Sequence, residues 1–264
     1  MLNYKLQQNK KLKKFYDKVY LKGEKKHFTA YRESTSTSDA NEVMKSISWK
    51  SKKVLDVGCG TGFFAYRAVK KGSQVLGIDY SIEAIEIAKS QHSHPNLEFK
   101  NIDVSKIKEK FDVIVSNGTL EHMDDPLKML KLFKKCLNPK GCIIITSPNW
   151  TNPRGYMLLT LWYLFKAPIT LADLHYFTLI DFQNFAKKLG MKLIWKTFDR
   201  SWSHGDVLIS DFKKRLPNVL HDARLPSNEK QIDFFIQWIK TNITPLNNDL
   251  PHSGATGLYV FSFK

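Results

Sequence analysis

The run Lys53-Val54-Leu55-Asp56-Val57-Gly58-Cys59-Gly60-Thr61-Gly62 leaves this chain few folds to choose from. Lys53 to Val57 reads as a buried strand, three alternating glycines follow, and helical periodicity takes over across 62–71. Glycine accepts positive φ and lets the backbone approach a ligand closely, while the N–H groups of the helix start face that ligand. Such a turn alone names only a nucleotide-like ligand. Its spacing narrows the choice, because the dinucleotide fingerprint is G-x-G-x-x-G and here the glycines run G-x-G-x-G. Asp56, two residues before the first glycine, would repel a pyrophosphate. It can instead order the loop and attract the ammonium of an amino acid, directly or through water.

The same texture repeats downstream. Strands are expected at 74–79, 97–100, 111–116 and 141–146, with helices at 62–71, 81–91 and 125–137 between them. In the second helix Ile82, Ile85 and Ala88 recur at helical spacing behind a Ser81 cap. Strand–helix–strand repetition implies right-handed βαβ units and an α/β fold, a parallel sheet covered by helices on both faces. Before this core, residues 1–50 are basic and polar with interspersed aromatics, and Ser34 to Asp39 reads as a loop ending in a helix N-cap. After Pro148 the pattern changes. Residues 150–175 are aromatic and apolar, Thr178 to Leu189 reads as a helix stopped by Gly190, and Met191 to Phe198 as a strand. A mixed segment over 199–255 holds one amphipathic helix, Glu229 to Lys240, and Leu258 to Phe263 closes the chain as a last strand. The expected organisation is an N-terminal helical and aromatic cap over 1–50, then a domain over 51–264 with insertions at about 150–176 and 200–255.

With 264 residues, 42% of them hydrophobic, the chain can bury a sizeable core. Its net charge of +16 has a plain explanation in a solvated, lysine-rich surface. An anionic membrane surface, a phosphate-bearing substrate and nucleic acid are the other attractors of such a field. Cys59, Cys136 and Cys142 are too few and too scattered for a disulfide framework or a zinc site, and reduced thiols suit a cytoplasmic protein. The N-terminus lacks the apolar core of a secretory signal, and Met157 to Phe165 falls short of the roughly 18 apolar residues of a spanning helix.

Two more acids follow the strand ends. Asp79 is placed to accept hydrogen bonds from both hydroxyls of a ribose, unless it merely caps its strand. Asp103 suits the exocyclic amine of adenine, with Ile102 or Val104 against the ring, unless it is a turn aspartate. Taken together, Val54 to Gly62, Gly77-Ile78-Asp79-Tyr80-Ser81, Phe111 to Ser116 and Leu137-Asn138-Pro139-Lys140-Gly141-Cys142 resemble the ordered motifs of class I S-adenosylmethionine-dependent methyltransferases. The resemblance covers about residues 50–150. It implies a Rossmann-like sheet of seven strands, mostly parallel with the last antiparallel, and S-adenosylmethionine as cofactor across its carboxyl edge. Carried over, the cofactor positions are Asp56, Gly58, Gly60, Asp79, Tyr80, Asp103, Val104 and Asn117. Cys59, Gly62, Ser81 and Leu120 adjoin them, and Tyr16 or Tyr20 would close over the cofactor or else pack on the core.

Methyl transfer to a hydroxyl benefits from a base. Asn117-Gly118-Thr119-Leu120-Glu121-His122 resembles the Leu-Glu-His element of quinone-biosynthesis-type and related small-molecule methyltransferases, which makes His122 the first candidate. A structural histidine is the competing reading, and Glu121 is expected to orient the loop. His175, with Tyr176, precedes a helix and is the second candidate on the acceptor side; a helix-entry staple is its alternative. The Asp/Asn-Pro-Pro-Tyr/Phe tetrad of nucleic-acid amino-methyltransferases is missing where Ser116-Asn117-Gly118-Thr119 stands, so nucleic acid is not favoured as acceptor. A small molecule, a glycan precursor or lipid-like quinone, is expected under the N-terminal aromatics and the two insertions. Methylation of RNA or protein, and a cofactor-binding regulatory subunit without catalysis, are the alternatives. Met157 to Phe165 is an apolar lid, a peripheral membrane contact or buried core. The oligomeric state stays open.

Overall fold

The computed structural model describes residues 33–170, 173–246 and 250–264; the expectations for Phe15, Tyr16 and Tyr20 lie outside them. Seven strands form one sheet: β1 (Lys53–Val57), β2 (Gln74–Ile78), β3 (Leu97–Lys100), β4 (Phe111–Asn117), β5 (Leu137–Pro148), β6 (Lys192–Phe198) and β7 (Thr256–Ser262). Their order is β3-β2-β1-β4-β5-β7-β6. The first five run parallel, and β7 lies antiparallel between β5 and β6. The α/β reading and the reversed last strand both hold.

Alternation along the strands explains why both faces are covered. Leu55, Val57, Ile143 and Ile145 point into one core, closed by Leu130 and Phe133 of α4 (Pro126–Lys135) and Phe182 and Ala186 of α6 (Leu179–Leu189). Val54, Val113, Val115 and Ile144 point into the other. There they meet α1 (Glu33–Met44), α2 (Phe63–Lys70) and α3 (Ile82–Gln91) through Ala40, Val43, Phe64, Ala68 and Ile85. Expected punctuation is in place: Ser81 Oγ accepts from the Ala84 N–H, and Gly190 ends α6 at φ 63°.

Two expectations need correction. Ser34 to Asp39 is not a loop but the body of α1. Its later turns bury Ala40 and Val43, and that packing outweighs the poor helix propensity of a Ser/Thr run. The 199–255 segment holds more helix than its pattern suggests: a short turn α7 (Arg200–Ser203), then α8 (Asp206–Asp222) and α9 (Glu229–Asn242). Helix α8 was hidden by Pro217 inside it, and by Asp211 and Arg215, which sit on its buried face.

The two insertions meet each other. Trp150 and Leu158, from α5 (Pro153–Phe165) and its approach, share a third core with Leu208, Phe212 and Val219 of α8 and Ile232, Ile236 and Ile239 of α9. Among the described residues no helix is long and apolar enough to cross a membrane.

Candidate functional site

The glycine loop leaves β1 and turns back on β2. Gly58, Gly60 and Gly62 all have positive φ, at 72°, 52° and 81°. The N–H groups of Gly58 and Cys59 both donate to the Ile78 carbonyl, at 2.8 and 3.0 Å. A Cβ on Gly58 would stand 2.4 Å from Thr119 Cγ2, and one on Gly62 2.4 Å from Phe99 Cζ. The first contact fastens the loop to the residues after β4, and the second seats the start of α2 on β3.

Asp79 ties the loop to the next strand end. One carboxylate oxygen accepts from Gly60 N–H and the other from Ser81 N–H, both at 2.9 Å, while Asn101 Nδ2 donates to its carbonyl at 2.9 Å. Tyr80 beside it is 41% exposed. Asp56 is buried, its Oδ2 without a hydrogen-bond partner. Burial, reinforced by the Asp79 carboxylate, pushes its carboxyl up to about 8, against the Ala65 N–H that favours the charged form. Burial likewise pushes the Cys59 thiol up, so this cysteine is packing rather than a nucleophile. Asp103 is exposed and caps a short 3-10 turn, Oδ1 accepting from Ser105 N–H at 2.7 Å, with Val104 buried behind it.

Past β4, Asn117 and Gly118 abut Thr146 of β5: Gly118 N–H donates to Thr146 Oγ1 at 3.2 Å, and Thr119 Oγ1 to the Asn117 carbonyl at 2.9 Å. Leu120 and Glu121 are buried. The Glu121 carbonyl accepts from the N–H groups of Leu174 and His175, and its Oε2 from Ser147 Oγ at 3.2 Å. Burial, with the nearby Asp173 carboxylate, holds the Glu121 carboxyl far above the usual carboxylate range. Glu121 thus joins this loop to the 173–175 segment.

That segment delivers what the sequence did not announce. Asp173 Oδ1 lies 3.4 Å from His122 Nδ1, with both side chains largely buried. Burial raises the Asp173 carboxyl above the usual carboxylate range, outweighing the opposing pull of His122, Thr170, Arg154 and Arg215. Glu121, His122 and Asp173 bring one ligand-type atom each within 4.8 Å of the others. His175 Nε2 meets the Met123 carbonyl at 2.8 Å, its ring stacked on Phe177. Beside them a cavity of about 260 Å³ is lined by Asp124, Trp162, Thr170, Asp173, His175 and Tyr176. Tyr176 packs edge-on against Trp150 and Trp162 and meets Thr170 Oγ1 at 3.4 Å. A cleft of about 350 Å³ among Lys131, Lys134, Lys135 and Lys188 lies at the opposite edge of the sheet, remote from these groups.

Two further networks went unread. Asp39 of α1 bonds the Thr146 side chain and is pushed up to about 7, chiefly by burial; Ser38 Oγ donates to Asp199 at 2.9 Å. Together they seat α1 over the carboxyl end of β5. In the insertion, Arg215 grips Asp211 through Nε and Nη2 at 2.9 and 2.7 Å, and Arg154 Nε reaches the same carboxylate at 3.1 Å. The paired guanidinium groups hold Asp211 at about 2 against its burial.

A family model described as a methyltransferase domain matches residues 48–186. The ubiquinone biosynthesis O-methyltransferase of Haemophilus ducreyi is 37% identical over 121 residues, covering 42% of this chain and 50% of that protein. The chain thus spans about half the length of the curated relatives it matches. Among solved structures, an S-adenosylmethionine-dependent methyltransferase from Archaeoglobus fulgidus covers 88% of this chain and 94% of its own at 16% identity and TM-score 0.58. The (4+2)-cyclase SpnF covers 96% and 95% at 14% identity and TM-score 0.60. Both share the fold; the cyclase cautions that the fold alone does not name the reaction.

Proposed function

This chain belongs to the class I S-adenosylmethionine-dependent methyltransferases, and on that premise we propose that it methylates a hydroxyl of a lipid-like phenolic or quinone precursor held in the cavity beside His122 and His175. The observation that carries this reading is the His122–Asp173 pair. His122 stands on the loop after β4, fastened to the glycine turn through Thr119 against Gly58, while Asp173, from the 173–175 segment, lines an aromatic cavity.

The residues present fit the cofactor. Asp56 offers a buried, unpartnered carboxylate oxygen to an ammonium, and the Asp79 carboxylate, fixed just past β2 by Gly60 and Ser81, would face the ribose hydroxyls. Asp103 and Val104 would take the adenine end, and Tyr80, Cys59, Leu120 and Asn117 would line the cleft between. The bound sulfonium supplies an electrophilic methyl group. The chain must hold the acceptor oxygen in line with it, exclude water and receive the hydroxyl proton. With Asp173 facing Nδ1, the Nδ1–H tautomer is favoured and Nε2 is the nitrogen that takes that proton. Glu121 and His175 position the loop rather than react. The similarity to ubiquinone biosynthesis O-methyltransferases, together with Trp162 and Tyr176 in the cavity wall, supports an aromatic, apolar acceptor.

The test is product formation from a catechol bearing an apolar tail, followed as S-adenosylhomocysteine release. His122→Ala lowers kcat by about 10²–10⁴-fold with cofactor affinity within twofold of the parent. An unchanged kcat in that variant would remove His122 as the base; no turnover of any catechol by the parent would remove the acceptor class.

A further inference from the structure

We propose that the carboxyl-terminal end of α5 docks the protein on an anionic lipid bilayer, so that the cavity beside Asp173 and His175 fills from the membrane. The docking surface stands on its own observations; the filling of the cavity rests on the acceptor reading above.

A helix on a protein surface ordinarily shows water a polar face. Helix α5 does not. Leu158 is buried in the third core, with Met157, Leu161 and Trp162 packed against it. The opposite face, at positions 156, 160, 163 and 164, reads Tyr, Thr, Tyr, Leu. Tyr156 is 57% exposed, Tyr163 66%, Leu164 69% and the adjoining Phe165 51%. Four large apolar side chains on one 13-residue helix form a patch, whereas scattered single ones are ordinary.

Charge and residue type select a lipid surface as the occupant. Lys166 follows at once, exposed and left-handed at φ 55°, with its ammonium 5.6 Å from the Trp162 ring centre and 5.9 Å from that of Tyr163. A cation over tyrosine and tryptophan at the end of an apolar helix suits the headgroup boundary, where the rings sit at the interface and the ammonium meets phosphate. No aspartate or glutamate occurs from residue 126 through 172, and the chain carries +16 in all, so an anionic surface attracts this face. The patch also adjoins the cavity: Trp162 and Pro168 line it on one side of the exposed Tyr163–Lys166 turn. An acceptor with a long apolar tail would then reach the cavity without crossing water.

Co-sedimentation of the full chain with vesicles tests this, comparing phosphatidylcholine alone with phosphatidylcholine containing about one third phosphatidylglycerol. Binding is expected to the anionic vesicles and to fall with salt. The triple variant Tyr163→Ser, Leu164→Ser, Phe165→Ser should bind at least about tenfold more weakly, and Lys166→Glu about fivefold more weakly. Calorimetric binding of S-adenosylhomocysteine, unchanged in both variants, shows that they are folded and that the cofactor site is untouched. Equal vesicle binding by parent and triple variant overturns the proposal, as does no binding by the parent. So does a parent that forms a dimer by light scattering which the triple variant loses, since a second copy then covers the patch. None of these outcomes bears on methyl transfer to a soluble catechol, so the two readings fail separately.

Discussion

Replacing Asp56 by asparagine should make the cofactor-free protein more stable and cofactor binding weaker, and the first effect should grow with pH. The side chain is 1% exposed, with Oδ2 unpartnered. Burial and Asp79 move its carboxyl from an ordinary 3.8 to about 8. A carboxyl whose folded pKa exceeds its unfolded value takes up a proton on folding. Its contribution to stability is therefore greatest at low pH, falls as pH rises from about 4 to about 8, and is level above that. The slope is about 1.4 kcal/mol per pH unit. Between pH 5 and pH 8 this gives about 3–4 kcal/mol for Asp56 alone. Asparagine cannot ionise, yet keeps an acceptor for the Ala65 N–H.

Urea titrations of parent and Asp56→Asn in the absence of cofactor should thus show a stability gap that widens by about 3–4 kcal/mol between pH 5 and pH 8, in the direction that favours the variant. Cofactor affinity should move the other way, weakening by about 1.5–3 kcal/mol because a charged partner of the ammonium is gone. In the parent, binding a cation there should ionise Asp56, so calorimetry at pH 7 in buffers of different ionisation enthalpy should show proton release that the variant lacks. A stability gap that does not widen with pH would refute the linkage argument. Unchanged affinity would refute the placement of the ammonium.

Other perturbations separate scaffold from site. Gly62→Ala should cost about 3–5 kcal/mol or prevent folding, because φ is +81° and the new methyl meets Phe99 and Ala88 in a filled core; thermal melting checks this. Asp79→Ala should weaken cofactor binding by about 1–3 kcal/mol in calorimetry, since Gly60 and Ser81 lose their common acceptor along with the proposed ribose contact. Arg215→Ala should cost about 3–5 kcal/mol in urea, because it leaves the buried Asp211 with Arg154 alone.

How much of this could be read from the chain depended on whether partners are neighbours in sequence. The proposed cofactor edge is local: Asp56, the glycines, Asp79 and Ser81 belong to two consecutive strand–turn–helix units, and pairing β1 with β2 suffices to bring them together. The Ser81 cap and the Gly190 stop were equally legible, being short-range hydrogen-bond chemistry. Asp173 was not, because nothing near it in sequence says that Glu121 will fold its backbone carbonyl onto Leu174 and His175. Helix α8 escaped for a related reason: a buried Asp–Arg pair reads as a polar face until its second arginine, Arg154, is brought in from another segment.

The same distinction locates where specificity resides. SpnF matches nearly the whole chain in fold at 14% identity, so neither the sheet nor its carboxyl edge determines what is done to an acceptor. Beside that edge stands the third core, formed by residues 150–169 and 208–243, with ionic links running from it toward the loop after β4. Arg154 and Arg215 bind Asp211 inside that core, and their charge weakly offsets the burial that raises Asp173, which faces His122. On the proposed assignment, acceptor recognition and proton removal would depend on one folded unit, whereas the glycine loop would bind the donor by means the wider family shares.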